Sequence, residues 1–276
     1  MRVSSEDITV TPSTPHIGAE IGNIDLRKPL TEKQIHDIRA AWIKHGVVFF
    51  REQDIDFEQH MRLTQYFGHV HIHVGGKGTA STAVEGFPAI RWQHFDDKSK
   101  RISGEVWHSD QSCAAIPPDG SILHQTILPP DGGGDTLFAS AYAAYDALSP
   151  SMKAYLEPLN AVHDGAKLFD KSTTVYPQAT HPVIVTHPET KRKLLFVNEG
   201  FTTKIEGIPV DESAAVLKFL FDHIAKPHWQ MRFRWRPHSI AFWDNRCTQH
   251  FAIWDYWPNV RSGYRVQFEG TVRPVR

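Results

Sequence analysis

The sequence predicts a mainly β fold: a double-stranded β-helix, the jelly-roll or cupin-like architecture, flanked by a few helices. Three observations carry that expectation. Short strand-like runs recur along the chain, punctuated by Gly, Pro, Asn and Asp turn signals. Helical periodicity is confined to a few segments. Side chains suited to metal ligation lie far apart, in Trp107-His108-Ser109-Asp110 and Thr248-Gln249-His250-Phe251, and an open-mouthed barrel brings such distant strands to one place.

The elements follow in order. Residues 8 to 10 and 17 to 24 read as short strands with Pro12 and Pro15 between them. Thr31 and Gln34 form a capping-box pattern ahead of Ile35, Ile38 and Trp42, which share a helical face that Gly46 ends. Val47-Val48-Phe49-Phe50 is an unbroken apolar run, the mark of a buried strand, and a second helix is expected from about 56 to 67. His69, His71 and His73 alternate with aliphatic residues, which on a strand puts all three on one face, as a second metal site or as hydrogen-bond donors near an anion. Residues 74 to 86 are rich in Gly, Thr, Ser and Ala and read as a lid loop. Strands are expected at 121 to 128 and 135 to 140, around the Gly132-Gly133-Gly134 bend, then two helical turns. Ser149-Pro150 opens a helix to about 159. Strands at 182 to 187 and 193 to 198 precede a helix over 211 to 226 that buries Leu217, Leu220, Phe221 and Ile224. Strands at about 229 to 236, 239 to 244, 248 to 253 and 264 to 272 close the chain.

With 276 residues, 41% of them hydrophobic, the chain suits one domain over residues 1–276. A net charge of -1 and no run of Lys or Arg argue against a nucleic-acid or membrane-surface partner. No apolar run is long enough to cross a bilayer and Met1-Arg2-Val3-Ser4-Ser5-Glu6 is no signal peptide, so a cytoplasmic protein is expected, as a homo-oligomer, dimer or tetramer. Cys113 and Cys247 are too few for a disulfide framework. They flank the candidate ligands, and packing is their expected role.

His108 and Asp110 are two residues apart, so on an extended strand both leave one face and form a two-point clamp. With His250 they make two imidazoles and one carboxylate, the donor set of the non-haem Fe(II) facial triad, which leaves positions open for cosubstrate and dioxygen. Arg261 and Arg265 lie four apart and point the same way on a regular strand. Inside a barrel each guanidinium requires an anion; on a solvated strand edge neither does.

Together these stretches resemble the taurine dioxygenase family of Fe(II)/2-oxoglutarate-dependent dioxygenases, which includes the dichlorophenoxyacetate and alkylsulfate dioxygenases. The resemblance runs nearly end to end, through His16-Ile17-Gly18-Ala19-Glu20-Ile21, Trp107-His108-Ser109-Asp110, Gly133-Gly134-Asp135-Thr136, Leu195-Phe196-Val197-Asn198-Glu199-Gly200-Phe201-Thr202-Thr203 and Trp243-Asp244-Asn245-Arg246-Cys247-Thr248-Gln249-His250. It implies His108, Asp110 and His250 as iron ligands, Thr136 and Arg261 as the grip on the distal carboxylate of 2-oxoglutarate, and Arg265 with His73 as the grip on the substrate's anionic group. Dioxygen is the oxidant, and a small sulfonate, alkyl sulfate or aryloxyalkanoate is the implied substrate, hydroxylated with release of succinate and carbon dioxide. Where taurine dioxygenase faces the substrate amine with an Asp-Asn pair, this chain has Ser103 and Gly104, and Gly76 replaces a tyrosine. Taurine dioxygenase proper is therefore the alternative reading. Two further rivals are a zinc hydrolase built on the same ligands, which has no use for a dicarboxylate clamp, and a non-catalytic jelly-roll binding protein.

Overall fold

The computed structural model describes residues 7–73, 81–100, 102, 104–169 and 176–276. Strands β1 (Thr9–Pro12) and β2 (Ala19–Gly22) pair antiparallel and lead into helix α1 (Glu32–His45). Thr31 caps α1 by the expected reciprocal box: its side chain accepts the Gln34 N–H while the Gln34 side chain accepts the Thr31 N–H, satisfying donors that would otherwise be orphaned. Strand β3 (Val47–Phe50) is wholly buried, because both of its faces are covered. Val48 and Phe50 pack with Ile38, Trp42 and Leu63 under α1 and helix α2 (Phe57–Gln65), whereas Val47 and Phe49 face Phe138, Phe233 and Trp243 in a second cluster. This two-sided burial is why the run is continuous rather than alternating.

Strands β4 (Ser81–Val84), β5 (Phe87–Phe95), β6 (Gly120–Ile127) and β7 (Thr136–Ser140) follow, then short helices α3 (Ala141–Asp146) and α4 (Pro150–Leu156). Next come β8 (Asn160–Asp164), β9 (Gln178–Pro182), β10 (Ile184–Thr186), β11 (Lys193–Leu195) and β12 (Thr202–Ile205), and helix α5 (Val210–Ile224). Four strands complete the chain: β13 (Gln230–Phe233), β14 (Ser239–Asp244), β15 (Thr248–Ala252) and β16 (Arg261–Phe268). The large sheet has the order β1-β2-β3-β14-β6-β16-β5-β4, and a smaller one, β13-β7-β15, faces it. β12-β8-β9 and β10-β11 are accessory sheets. The Phe49 ring stacks on Phe233 with centroids 3.8 Å apart, tying the large sheet to the small one.

Three expectations are corrected. His69 to His73 do not form a strand: a single bridge joins Val70 to Phe268. The segment borrows the edge of β16 beyond the point where β5 ends, with the His71 N–H on Gln267 O and the Glu269 N–H on His69 O, and this pairing is too short to impose an alternating face. The lid expected over 74–86 is a loop only in part. Residues 81–84 are strand β4, paired with β5, while residues 74–80 lie outside the described residues. Finally, His108 and Asp110 do not share a strand. His108 makes an isolated bridge to His250, and the chain then turns through Gln111 at φ 51. β5, β8 and β12 arise where the sequence reading marked no strand.

His60, His124 and His163 are buried histidines outside the cavity, and burial is the first cause that depresses each of them, to about 3, about 4 and about 3 respectively. Each stays neutral when folded but protonates on unfolding below pH 6.5, so the unfolded chain takes up the extra protons and stability falls as pH drops from 6.5 toward 4. The slope is up to about 1.4 kcal/mol per pH unit for each histidine. Urea midpoints measured at pH 7.5, 6.5 and 5.5 should decline slightly over the first step and more steeply over the second; an unchanged midpoint at 5.5 contradicts the expectation.

Candidate active site

A cavity of about 470 Å³ lies between the large sheet and β13-β7-β15. His108, Asp110, Thr136, His250, Arg261, Arg265 and His73 all line it, so every site residue read from the sequence comes to one chamber.

His108, Asp110 and His250 are each buried, with all their ligand atoms within 4.8 Å of one another. His108 and His250 are locked together by reciprocal backbone bonds, His108 N–H to His250 O at 3.1 Å and His250 N–H to His108 O at 2.9 Å. The His108 Nδ1–H donates to Val106 O at 2.8 Å, which leaves the Nε2 lone pair facing Asp110 Oδ1 at 3.7 Å. His250 Nε2 faces the same oxygen at 4.0 Å. Gly104, at φ 85, lies against the His108 ring: a Cβ there would sit 2.9 Å from Cε1, so a larger side chain would displace the imidazole. Burial pushes both imidazoles below the ordinary histidine range. Burial opposes the charge on Asp110, but the Arg265 guanidinium beside it outweighs that cost, helped by the Ser121 hydrogen bond, and holds the carboxyl well below the usual range. Two neutral imidazoles and one ionised carboxylate form a donor set that fits a divalent metal.

Asp110 is held from both sides. Its Oδ1 accepts from Arg265 Nη1 at 2.8 Å and its Oδ2 from Ser121 Oγ at 2.7 Å. Ser121 Oγ accepts from both Asn245 Nδ2 and Gln267 Nε2 at 2.9 Å, so its single proton is directed at the carboxylate. The chain of bonds continues from Gln267 Oε1 to Gln111 Nε2 at 2.7 Å and from Gln111 Oε1 to His71 Nε2 at 3.2 Å.

Arg261 is buried on β16 with its Nε–H on Gly134 O at 3.0 Å. Gly134 is at φ 82, and a Cβ there would meet Arg261 Cδ at 2.8 Å, so only glycine fits the bend beside the guanidinium. The Gln125 amide satisfies its neighbours when its oxygen faces Arg261, 3.0 Å from each Nη, and its nitrogen faces Ser262 O at 2.9 Å. An arginine has five N–H donors, so two Nη donors are left to point elsewhere. Burial disfavours the charge on Arg261, which an anion in the chamber would offset. Thr136 Oγ1 accepts from Trp235 Nε1 at 3.0 Å, which leaves its own proton to donate.

Burial, then Arg265 and Arg91, push His73 down to about 3, so it acts as a neutral donor. Its ring meets Phe169 edge-on at 5.6 Å, and Phe169 meets Phe201 in the same way at 5.5 Å, giving the chamber an aromatic wall beside His108. Glu105 and Glu199, both exposed, lie at the cavity's margin. Ser103 and Gly76 lie outside the described residues.

The solvated-edge reading of the arginine pair is overturned: Arg261 is 4% exposed and Arg265 9%. Sequence reasoning missed Ser121, Gln125 and Gln267, although polar residues inside otherwise apolar strands were the available signal. A second metal site at the His69–His73 patch finds no support among the described residues, where the only other cluster of the kind is His187, Asp244 and Cys247. That cluster is already satisfied. His187 Nδ1 accepts the Glu189 and Thr190 N–H groups, its Nε2 donates to Asp244 at 3.1 Å, and Arg246 holds Asp244 through both carboxylate oxygens. Cys113 and Cys247 are buried free thiols, as expected, and burial pushes Cys113 up to about 12. Among the described residues no helix is long and apolar enough to cross a membrane.

Comparison with known proteins agrees with this geometry. The family model of the taurine catabolism dioxygenases, the TauD, TfdA family, matches residues 9–267. The chain is 32% identical to an alpha-ketoglutarate-dependent sulfonate dioxygenase of Saccharomyces cerevisiae, over 97% of this chain and 68% of that protein. It is 30% identical to an alpha-ketoglutarate-dependent sulfate ester dioxygenase of Pseudomonas putida, over 96% of this chain and 91% of the relative. The crystal structure of a taurine dioxygenase from Burkholderia xenovorans superposes with a TM-score of 0.84 at 35% identity, covering 97% of this chain and 91% of that one. The chain therefore belongs to the TauD/TfdA family and is a non-haem iron dioxygenase that uses Fe(II), 2-oxoglutarate and dioxygen.

Proposed function

We propose that this enzyme hydroxylates a small sulfonate, alkyl sulfate or aryloxyalkanoate, with His108, Asp110 and His250 as the iron ligands. The observation that carries the reading is one chamber lined by the triad, by Thr136 and by two buried arginines on a single strand, one held on Gly134 O and the other against Asp110. Bound there, the metal and cosubstrate supply the oxidising chemistry: 2-oxoglutarate and dioxygen give succinate, carbon dioxide and one oxygen atom for a substrate C–H bond. The chain's own part is placement. The two remaining Nη donors of Arg261 and the Thr136 hydroxyl take the distal carboxylate of 2-oxoglutarate. Arg265 and His73 take the substrate's anion, and Phe169 and Phe201 hold its tail beside His108 and exclude water. Ser121 holds Oδ2 of Asp110 and Arg265 holds Oδ1, which fixes the carboxylate beside the two histidines that would share the metal with it. Hydroxylation at a carbon bearing a sulfonate, sulfate ester or aryl ether gives a product that collapses to a carbonyl compound and releases sulfite, sulfate or a phenol.

The test is succinate release with iron and 2-oxoglutarate supplied, across sulfonates, alkyl sulfates and phenoxyalkanoates. Failure to turn over any of the three classes removes the reading. Within the screen, a substrate with an uncharged tail should exceed taurine in kcat/KM, because Gly104 offers no side chain to an ammonium and a buried unpaired charge is costly. A clear preference for taurine would instead assign its ammonium to Glu105 and Glu199 and restore the alternative reading.

A further inference from the structure

Next to the anion end of the chamber, just outside its lining, stands a residue that the proposed function does not use. Arg265 on β16 lies directly opposite Arg91 on β5, and the neighbouring pairs in this register are Gly263 with Gln93 and Arg261 with Phe95. Directly opposed residues of an antiparallel pair project from the same face, with Cβ atoms about 4.5–5.5 Å apart. Arg265 lines the cavity, and so do Gln93 and Phe95, which share Arg91's face at the two-residue period of the strand. The intervening Trp92 is exposed on the opposite face, and Arg91 itself is half-buried. Like charges directly opposite each other are destabilising, and burial followed by Arg265 pushes Arg91 down. Arg91 also contributes to the depression of His73, so Arg91, Arg265 and His73 form one electrostatic group.

We propose that Arg91 is a specificity-determining residue that joins Arg265 across the strand pair to bind a tetrahedral, three-oxygen head group, selecting sulfonates and sulfate monoesters over carboxylates. This rests on the proposed function of the chamber and narrows its substrate class. A planar carboxylate presents two oxygens, which one guanidinium engages side by side. A sulfonate or sulfate head has a third oxygen out of that plane, and a second guanidinium projecting from the adjacent strand is placed to take it.

The experiment is anaerobic calorimetric titration of the Fe(II) and 2-oxoglutarate-loaded enzyme with three probes of matched tail, 1-hexanesulfonate, hexyl sulfate and hexanoate. The wild type should bind the first two at least about tenfold more tightly than hexanoate. Arg91→Ala should weaken the sulfonate and sulfate about ten- to a hundredfold, as expected for loss of a charged hydrogen bond, while changing hexanoate by less than about threefold on the same scale. Arg91→Lys should recover part of the loss, and an unchanged 2-oxoglutarate affinity shows that the fold and the cosubstrate site survive. Equal wild-type affinity for all three probes overturns the proposal without any variant. So does an Arg91→Ala enzyme that loses all three alike or none. A wild type that binds 2-oxoglutarate but none of the probes, and turns over nothing in the succinate screen, removes the functional reading itself, and the Arg91 proposal with it.

Discussion

Asp110→Ala is expected to abolish turnover, by about three orders of magnitude or more, and to destabilise the protein as well. The activity loss follows from removing the one anionic metal ligand. The stability loss follows from Arg265, which is 9% exposed and donates to Asp110 Oδ1 at 2.8 Å. Without Asp110 a buried guanidinium loses its partner, at a cost of about 3–5 kcal/mol. His250→Ala should be equally inactive with a smaller stability cost, since the buried Nδ1 of His250 has no hydrogen-bond partner among the described residues. Succinate release, iron content and urea midpoints for the two variants separate these effects. Full activity of the wild type with zinc after removal of iron, or without 2-oxoglutarate, would contradict the mechanism at its root.

Arg261→Ala is expected to raise the requirement for 2-oxoglutarate by about thirtyfold to several-thousandfold, the equivalent of roughly 2–5 kcal/mol for a desolvated charge pair. Gly134 and Gln125 hold the guanidinium from behind, so little of its binding contribution is lost to ordering the side chain. Thr136→Ala should cost less, about 1 kcal/mol, because one neutral donor is removed and Trp235 loses its acceptor. The check is 2-oxoglutarate titration in both variants at saturating substrate. If Arg261→Ala leaves the cosubstrate requirement unchanged while substrate binding collapses, the two arginines have been assigned to the wrong anions.

What the sequence disclosed depended on whether a feature was local. The capping box at Thr31–Gln34, the N-cap at Ser149–Pro150 and the apolar run Val47–Phe50 are patterns of residues within a few positions of one another, and they appear at the expected places. The clamp was legible as residue types, but its geometry was not. The strand assumed for His108 and Asp110 is replaced by one bridge and a turn, because the partner that fixes His108 is His250, far along the chain. Spacing did place Arg261 and Arg265 on one face but left open whether that face met solvent. Their burial depends on β6 and β5 flanking β16, and neither neighbour is encoded nearby. Ser121 and Gln267 were visible as polar residues within strands, but their role exists only once β6 and β16 are side by side.

Strand β16 also works as a ruler. Its two inward guanidiniums stand four residues apart, about 13 Å along an extended backbone, so the spacing between the two anion-binding ends of the chamber is built into one uninterrupted segment. No hinge or domain motion is needed to set it. Deleting a single residue between Ser262 and Tyr264 would leave Arg261 in place and turn Arg265 to the opposite face, uncoupling the recognition of one small molecule from that of the other in a single step.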